Sequence, residues 1–247
     1  MESASRLRRE VDQRVHLVRG WPWRDALAAY LASWSDVSDG SMGQFWTAPD
    51  ALDKGDLLVT VLDTRPRVVL CLERSGIVRK RPDKRGLVVS DAEYFLDAIP
   101  VPALTARLGR SLPVAPATLS DDLADKLLTA IAAEVAEPTP WAAVEGSKSS
   151  STNRARSSGL QAAALLAAEG ECTACQRDYA VVLGGRGALA LEVHHLDPLS
   201  KSPNTAVWTD VERVVVVCGG CHNILHGKPA PTLEELVAAW SATGTGP

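Results

Sequence analysis

Two Cys-x2-Cys pairs, Cys172 with Cys175 and Cys218 with Cys221, are separated by 42 intervening residues and constrain this chain more than any other feature. Each pair turns tightly enough to aim both sulfurs at one ion, so the two together complete a closed, tetrahedral, structural zinc site. Four unrelated buried cysteines are the alternative, but packing preference alone does not put free cysteines into paired spacings. A disulfide framework belongs to small exported domains. Here 247 residues are enough to bury a real core, and the basic start (Arg6, Arg8, Arg9) precedes no apolar signal segment. No stretch approaches the roughly 18 apolar residues of a membrane span, so the expectation is a cytoplasmic protein with no membrane partner. Cys71, alone in a Val/Leu run, reads as a small core residue.

The loop between the cysteine pairs is longer than a zinc ribbon needs, and histidine is concentrated in the same region. Four of the five histidines (His194, His195, His222, His226) fall between residues 172 and 226. His194 and His195 end a strand-like run, whereas His222 and His226 are four apart and share one side of a helix. Satisfied core or surface histidines are the plainer alternative. Their clustering beside a zinc scaffold favours a second metal site, built as a ββα finger.

Composition shifts between about residues 136 and 158, where Pro138 and Pro140 lead into a Gly/Ser/Lys-rich stretch, which reads as a linker. It divides the chain into 1–135, a linker at 136–158, and 159–247, each side an α+β domain. In the first, 23–34 has helical spacing, 56–63 and 67–73 are β-branched runs of strand length, and 87–89 is a third. Ser90 to Glu93 reads as a capping box that opens a short helix through Tyr94 and Phe95. Ser120 is the expected N-cap of a helix over 121–135. After the linker, 159–168 reads as a helix, and 179–183 and 188–193 read as a hairpin around Gly184 to Gly187. A short buried strand or turn over 214–217 and a helix over 221–227 follow, and Thr232 and Glu235 form a capping box for the C-terminal helix.

The pattern Cys-x2-Cys, then Glu192-Val193-His194-His195-Leu196-x-Pro198-Leu199-Ser200, then Cys218-x2-Cys221-His222-x3-His226 resembles the zinc-stapled HNH (ββα-metal) nucleases over residues 160–230. The resemblance implies hydrolysis of a nucleic-acid phosphodiester. His195 would be the general base, while His194, His222 and His226 would hold one catalytic divalent ion, Mg2+, Mn2+ or another transition metal. Structural Zn2+ would stay on the cysteines. Five residues before Cys218, where many family members carry an asparagine, this chain has Arg213. It either grips a phosphate oxygen through its fork or is a solvated residue before the valine run. Asp197 reads as a turn residue, and Arg186 as a backbone contact from the glycine loop.

The charge balance argues against a broadly basic surface, with 19 basic and 21 acidic residues in 1–150 and 7 and 9 in 151–247. A DNA face must therefore be local. Between Arg74 and Arg85 lie Arg79, Lys80, Arg81, Lys84 and Arg85 against a single Asp83. They make either a solvated loop or a phosphate-contacting one, whose affinity would fall steeply with salt. Trp21, Trp23, Trp34, Phe45 and Trp46 fall within 26 residues, as core packing or as platforms for an extruded base. A helix, a polar loop with Ser41 and Trp46, then Lys54-Gly55-Asp56-Leu57-Leu58 and Val68-Val69-Leu70 are similar to the PUA-like superfamily that includes EVE, YTH and ASCH domains, over residues 16–133. That resemblance implies a β-barrel-type reader with flanking helices, using Trp21, Trp23, Ser41 and Trp46 on a modified base. Fused to an HNH domain, it resembles modification-dependent restriction endonucleases. The implied partners are double-stranded DNA with a modified cytosine and a second copy of the chain, since a one-site nuclease cuts both strands most simply as a homodimer. An HNH nuclease on unmodified DNA and a noncatalytic zinc-stapled DNA-binding protein are the competing readings.

Overall fold

The computed structural model describes residues 9–35, 46–80, 86–140, 142–145, 157–197 and 207–242. Two compact units make up the chain: Met1–Ala26 with Ser38–Pro140, and Leu27–Val37 with Trp141–Pro247. Both mix helices with strands, as the expected α+β class requires.

In the first unit, β1 (Val15–Gly20) leads into α1 (Trp23–Ser35), which belongs to the second unit from Leu27 onward, and the chain returns with β2 (Trp46–Thr47) and β3 (Leu57–Leu62). β1 and β3 pair in parallel, from Val15 opposite Leu57 to Gly20 opposite Leu62. Parallel neighbours need a crossover, and α1 lies in it. β4 (Val68–Lys80) and β5 (Gly86–Pro100) add antiparallel strands beyond β3. After α2 (Val101–Leu108), β6 (Ala117–Thr118) returns to the outer edge of β1, and α3 (Asp121–Ala136) follows. Leu17, Val59 and Val61 pack with Leu104, Leu127 and Ile131 from α2 and α3. Val18 and Leu58, one residue out of phase, pack with Ala48 and Leu52 in a second cluster. Burial on both faces explains why 57–62 reads as a near-continuous apolar run, broken only by Thr60, rather than an alternating one.

Two expectations are corrected in this unit. Ser90 to Glu93 opens no helix, because residues 86–100 run as one strand paired with β4, from Lys80 opposite Gly86 to Val68 opposite Pro100. A ladder of that length outweighs a local capping signal, since tertiary pairing overrides intrinsic propensity. The described strands close no barrel either. The sheet runs β2-β1-β3-β4-β5 and, among the described residues, no ladder joins β5 back to β2 or β6. The outer edge of β1 carries two dipeptide strands, β2 at Arg19 and Gly20 and β6 at His16 and Leu17, in place of the continuous ladder that closure needs. Ser120 occupies the expected N-cap position of α3 without a side-chain bond to the helix, and Asp121 and Asp122 sit in its first turn. Arg9 binds Asp121 and Asp125, tying the start of the described chain to α3.

A buried polar pin crosses the sheet at β1. His16 is fully buried. Its Nδ1 lies 2.9 Å from Thr118 Oγ1 on β6, and its Nε2 lies 2.8 Å from Asp56 Oδ2 beside β3. Asp56 also accepts from Arg14 and from the Asp53 N–H, both at 2.9 Å. Burial opposes the charge on Asp56, but these donors outweigh it and hold its pKa below the ordinary value.

The second unit contains β7 (Ala142–Glu145), inside the stretch read as a linker and paired with β9 (Val207–Asp210). α4 (Ser158–Ala167) begins at a Ser157 cap, whose Oγ accepts from the Leu160 N–H at 3.1 Å. The expected hairpin at 179–193 is corrected. Tyr179–Leu183 is a short helix, α5, capped by Asp178, and Gly184–Ala190 continues as a 3-10 segment. A Cβ at Gly187 would collide with the backbone of Tyr179 and Ala180, so this glycine serves close helical packing rather than a hairpin turn. β8 (Leu191–His195) pairs instead with β10 (Val214–Cys218). α6 (Gly219–Leu225) and α7 (Leu233–Ala242) complete the unit. The Thr232–Glu235 capping box is present, with reciprocal bonds of 2.8 and 3.2 Å. Among the described residues no helix is long and apolar enough to cross a membrane.

Candidate metal centre

Both cysteine pairs are shaped by backbone hydrogen bonds. In the loop after α4, Cys172 donates its N–H to the Arg177 carbonyl at 3.1 Å, and Gln176, left-handed at φ 55°, donates to the Cys172 carbonyl at 2.8 Å. The second pair spans the end of β10 and the first turn of α6, with Cys218 at the N-cap. The Thr173 N–H reaches the Val216 carbonyl at 2.8 Å, and the Cys218 N–H reaches Cys172 Sγ at 3.2 Å. These bonds bring all four sulfurs within 4.8 Å of one another. A zinc–sulfur tetrahedron has an edge of about 3.8 Å for bonds near 2.3 Å, so small side-chain shifts close the set on an ion. Cys172, Cys218 and Cys221 are buried and Cys175 is half-buried. Cys71 is buried apart from them in β4.

The electrostatics fit a cation. Burial and neighbouring sulfurs raise the pKa of Cys175 and Cys221. At Cys218 burial acts the same way, but hydrogen bonds from Tyr179 and Cys221 outweigh it and lower the pKa to about 7. Tyr179, bonded to Cys218, is itself raised to about 12. Four thiolates cannot share this volume unless a divalent charge offsets their repulsion. The four cysteines are placed to hold a metal ion, and their chemistry suits structural zinc.

A second cluster lies on the β8–β10 pair and the helix after it. His194 on β8, His222 on α6 and His226 at the end of α6 each bring a ring nitrogen within 4.8 Å of the others. Their ring centroids are 4.7 to 5.4 Å apart. The i, i+4 spacing supplies the helical pair, and α6 follows β10 directly, which carries that pair across β8. Glu192, two residues before His194, shares its strand face, and its Oε2 lies 2.8 Å from His222 Nδ1. That carboxylate fixes the ring and tautomer of His222. Reasoning from the sequence passed over Glu192, although the period of two from His194 marks it.

His195 lies elsewhere. It ends β8 opposite Val214 and is 8% exposed, in phase with buried Leu191 and Val193. The fork of Arg213 engages Asp197, with Nε to Oδ2 at 2.8 Å, and both side chains are exposed. Asp197, read as a turn residue, is thus the anion that occupies Arg213. The Arg213 carbonyl accepts from the Leu196 N–H at 3.0 Å.

Far along the chain, Trp21 sits between β1 and α1 and is 52% exposed. Trp23 opens α1, half-buried, with the Arg24 guanidinium 5.5 Å from its ring centroid. Trp46 pairs with Gly20 in the sheet, which brings its backbone beside the β1 end that carries Trp21. Ser41 lies outside the described residues, as do Arg81, Lys84 and Arg85. Arg79 and Lys80 stand in β4, opposite Leu87 and Gly86, rather than in a loop. Arg186 is exposed in the 3-10 segment. Comparison of the chain with protein-family models, with curated proteins and with solved structures finds no significant match.

Proposed function

We propose that the chain is a metal-dependent DNA endonuclease of the HNH type, directed to DNA that carries modified cytosine. One observation carries this reading: a closed set of four cysteines stands beside an open set of three histidines on two antiparallel strands and a helix. Four protein ligands saturate a tetrahedral ion and make a structural site, whereas three leave a position for water or substrate. His226 is exposed, which gives that position access to solvent. His194, His222 and His226 would hold a divalent cation, and when bound it would supply Lewis-acid stabilisation of the leaving oxygen. Glu192 orients His222. His195 is assigned as general base, taking a proton from the water that attacks phosphorus. Trp21, Trp23 and Trp46 are assigned to the modified base.

Supercoiled plasmids with and without 5-methylcytosine, incubated with Mg2+ or Mn2+, test the reading. Cutting confined to the modified plasmid is the expected outcome. Equal cutting of both removes the reader, and no cutting with any divalent ion removes the nuclease. His195→Ala should lower cleavage by about 10²-fold or more while zinc content stays unchanged. A noncatalytic zinc-stapled DNA-binding protein is the second reading. It is favoured by the burial of His195 and by the engagement of Arg213 with Asp197.

A further inference from the structure

β4 and β5 outrun the sheet that carries them. Cross-strand pairing from β3 to β4 begins at Leu57 opposite Arg74, with Gly55 and Asp56 adding two bonds to Ser75. From Gly76 to Lys80 the only described partner of β4 is β5. Five residues at ~3.4 Å each make a two-stranded ribbon about 17 Å long. The register slips between Ser75 and Val78, where two residues of β4, Gly76 and Ile77, oppose one of β5, Val89. A bulge of this kind bends a strand and re-aims what lies beyond it. Past the bulge stand Arg79 and Lys80, opposite Leu87 and Gly86. Residues 74–85 contain six of the chain's 26 Lys and Arg and one acidic residue, so positive charge is concentrated here in a chain of net charge −4. Arg74, at the base, is engaged by Glu10 at 3.3 Å, whereas Arg79 and Lys80 stand beyond the bulge. Residues 81–85 lie outside the described residues.

We infer that this ribbon is the element by which the chain grips the phosphate backbone of duplex DNA, with Arg79 and Lys80 as its contacts. The inference rests on the reading of the chain as a protein that acts on DNA. A two-stranded ribbon fits the B-DNA major groove, about 12 Å wide and about 8.5 Å deep. Each phosphate neutralised adds about −0.9 to the slope of log affinity against log salt.

The test uses the full zinc-loaded chain in a His195→Ala background, with a short labelled DNA duplex as probe and salt from about 50 to about 200 mM. Relative to that background, the Arg79→Gln/Lys80→Gln variant should have a slope shallower by about 1.8. Over that salt range the background should therefore lose about 12-fold more affinity than the variant. The charge-conserving Arg79→Lys/Lys80→Arg variant should keep the steep slope. Equal slopes in all three proteins overturn the inference. So does a shallow slope in the charge-conserving variant, which would report a damaged fold, and so does the absence of duplex binding at every salt. Cleavage is read separately with His195 intact. Cutting with unaltered slopes overturns the ribbon alone, and a slope shift without cutting overturns the nuclease alone.

Discussion

Glu192 and His222 are joined by one 2.8 Å contact, and that contact makes the histidine cluster more than three neighbouring rings. A carboxylate behind a ligand imidazole fixes its tautomer and raises its basicity, and its loss costs about 10- to 100-fold in metal affinity. Glu192→Gln should therefore weaken divalent-ion binding at the histidines by about that factor, as read by Mn2+ titration, while zinc on the cysteines stays unchanged. His16 poses a separate question. Burial holds its pKa below 6.5, with Asp56 and Asp53 pulling it up and Arg14 pushing it down. The unfolded chain thus takes up this proton before the folded chain does, and stability drops as pH falls below about 6.5. Asp56, its own pKa depressed, keeps its contribution until pH falls below the usual carboxylate range. Denaturant melts between pH 7 and 5 should show a steeper loss of stability in the parent chain than in His16→Gln. Parallel curves would remove His16 from the account.

At the scale of elements, the segment between the first cysteine pair and β8 holds the sharpest constraint. α5 and the 3-10 segment pack back on themselves because Gly187 has no side chain. Gly187→Ala should destabilise the second unit by about 1–3 kcal/mol, as overpacking does, with a lowered urea midpoint as the readout. A neutral effect would show that the two helical turns can separate without cost. The same segment shows why a hairpin was the natural expectation. Tyr179 to Leu183 is rich in β-branched residues and Gly184, Gly185 and Gly187 follow, which locally reads as strand and turn. Asp178 capping the Val181 N–H and Tyr179 reaching Cys218 commit it to a helix instead. Local pattern carried no information about either partner.

For the whole molecule, the two metal clusters predict two classes of binding. One tight zinc per chain should resist dialysis, and a weaker site should take up Mn2+ or Co2+ and disappear in His194→Ala. Cys218→Ser or strong chelation should unfold the second unit, because a four-cysteine site contributes folding energy outright, as followed by its circular dichroism. Retention of fold and zinc in Cys218→Ser would remove the structural assignment. The cysteine spacing, the i, i+4 histidine pair, the apolar runs of β3 and the start of β4, and the C-terminal capping box were all legible as residues, because each depends on neighbours within a few positions. The length of β5, the open sheet, the pairing of β8 with β10, the Glu192–His222 contact and the capture of Arg213 by Asp197 were not. Each of these joins residues distant in sequence, or sets a long ladder against a local preference. Such contests are settled by packing and pairing energies that a linear pattern does not contain.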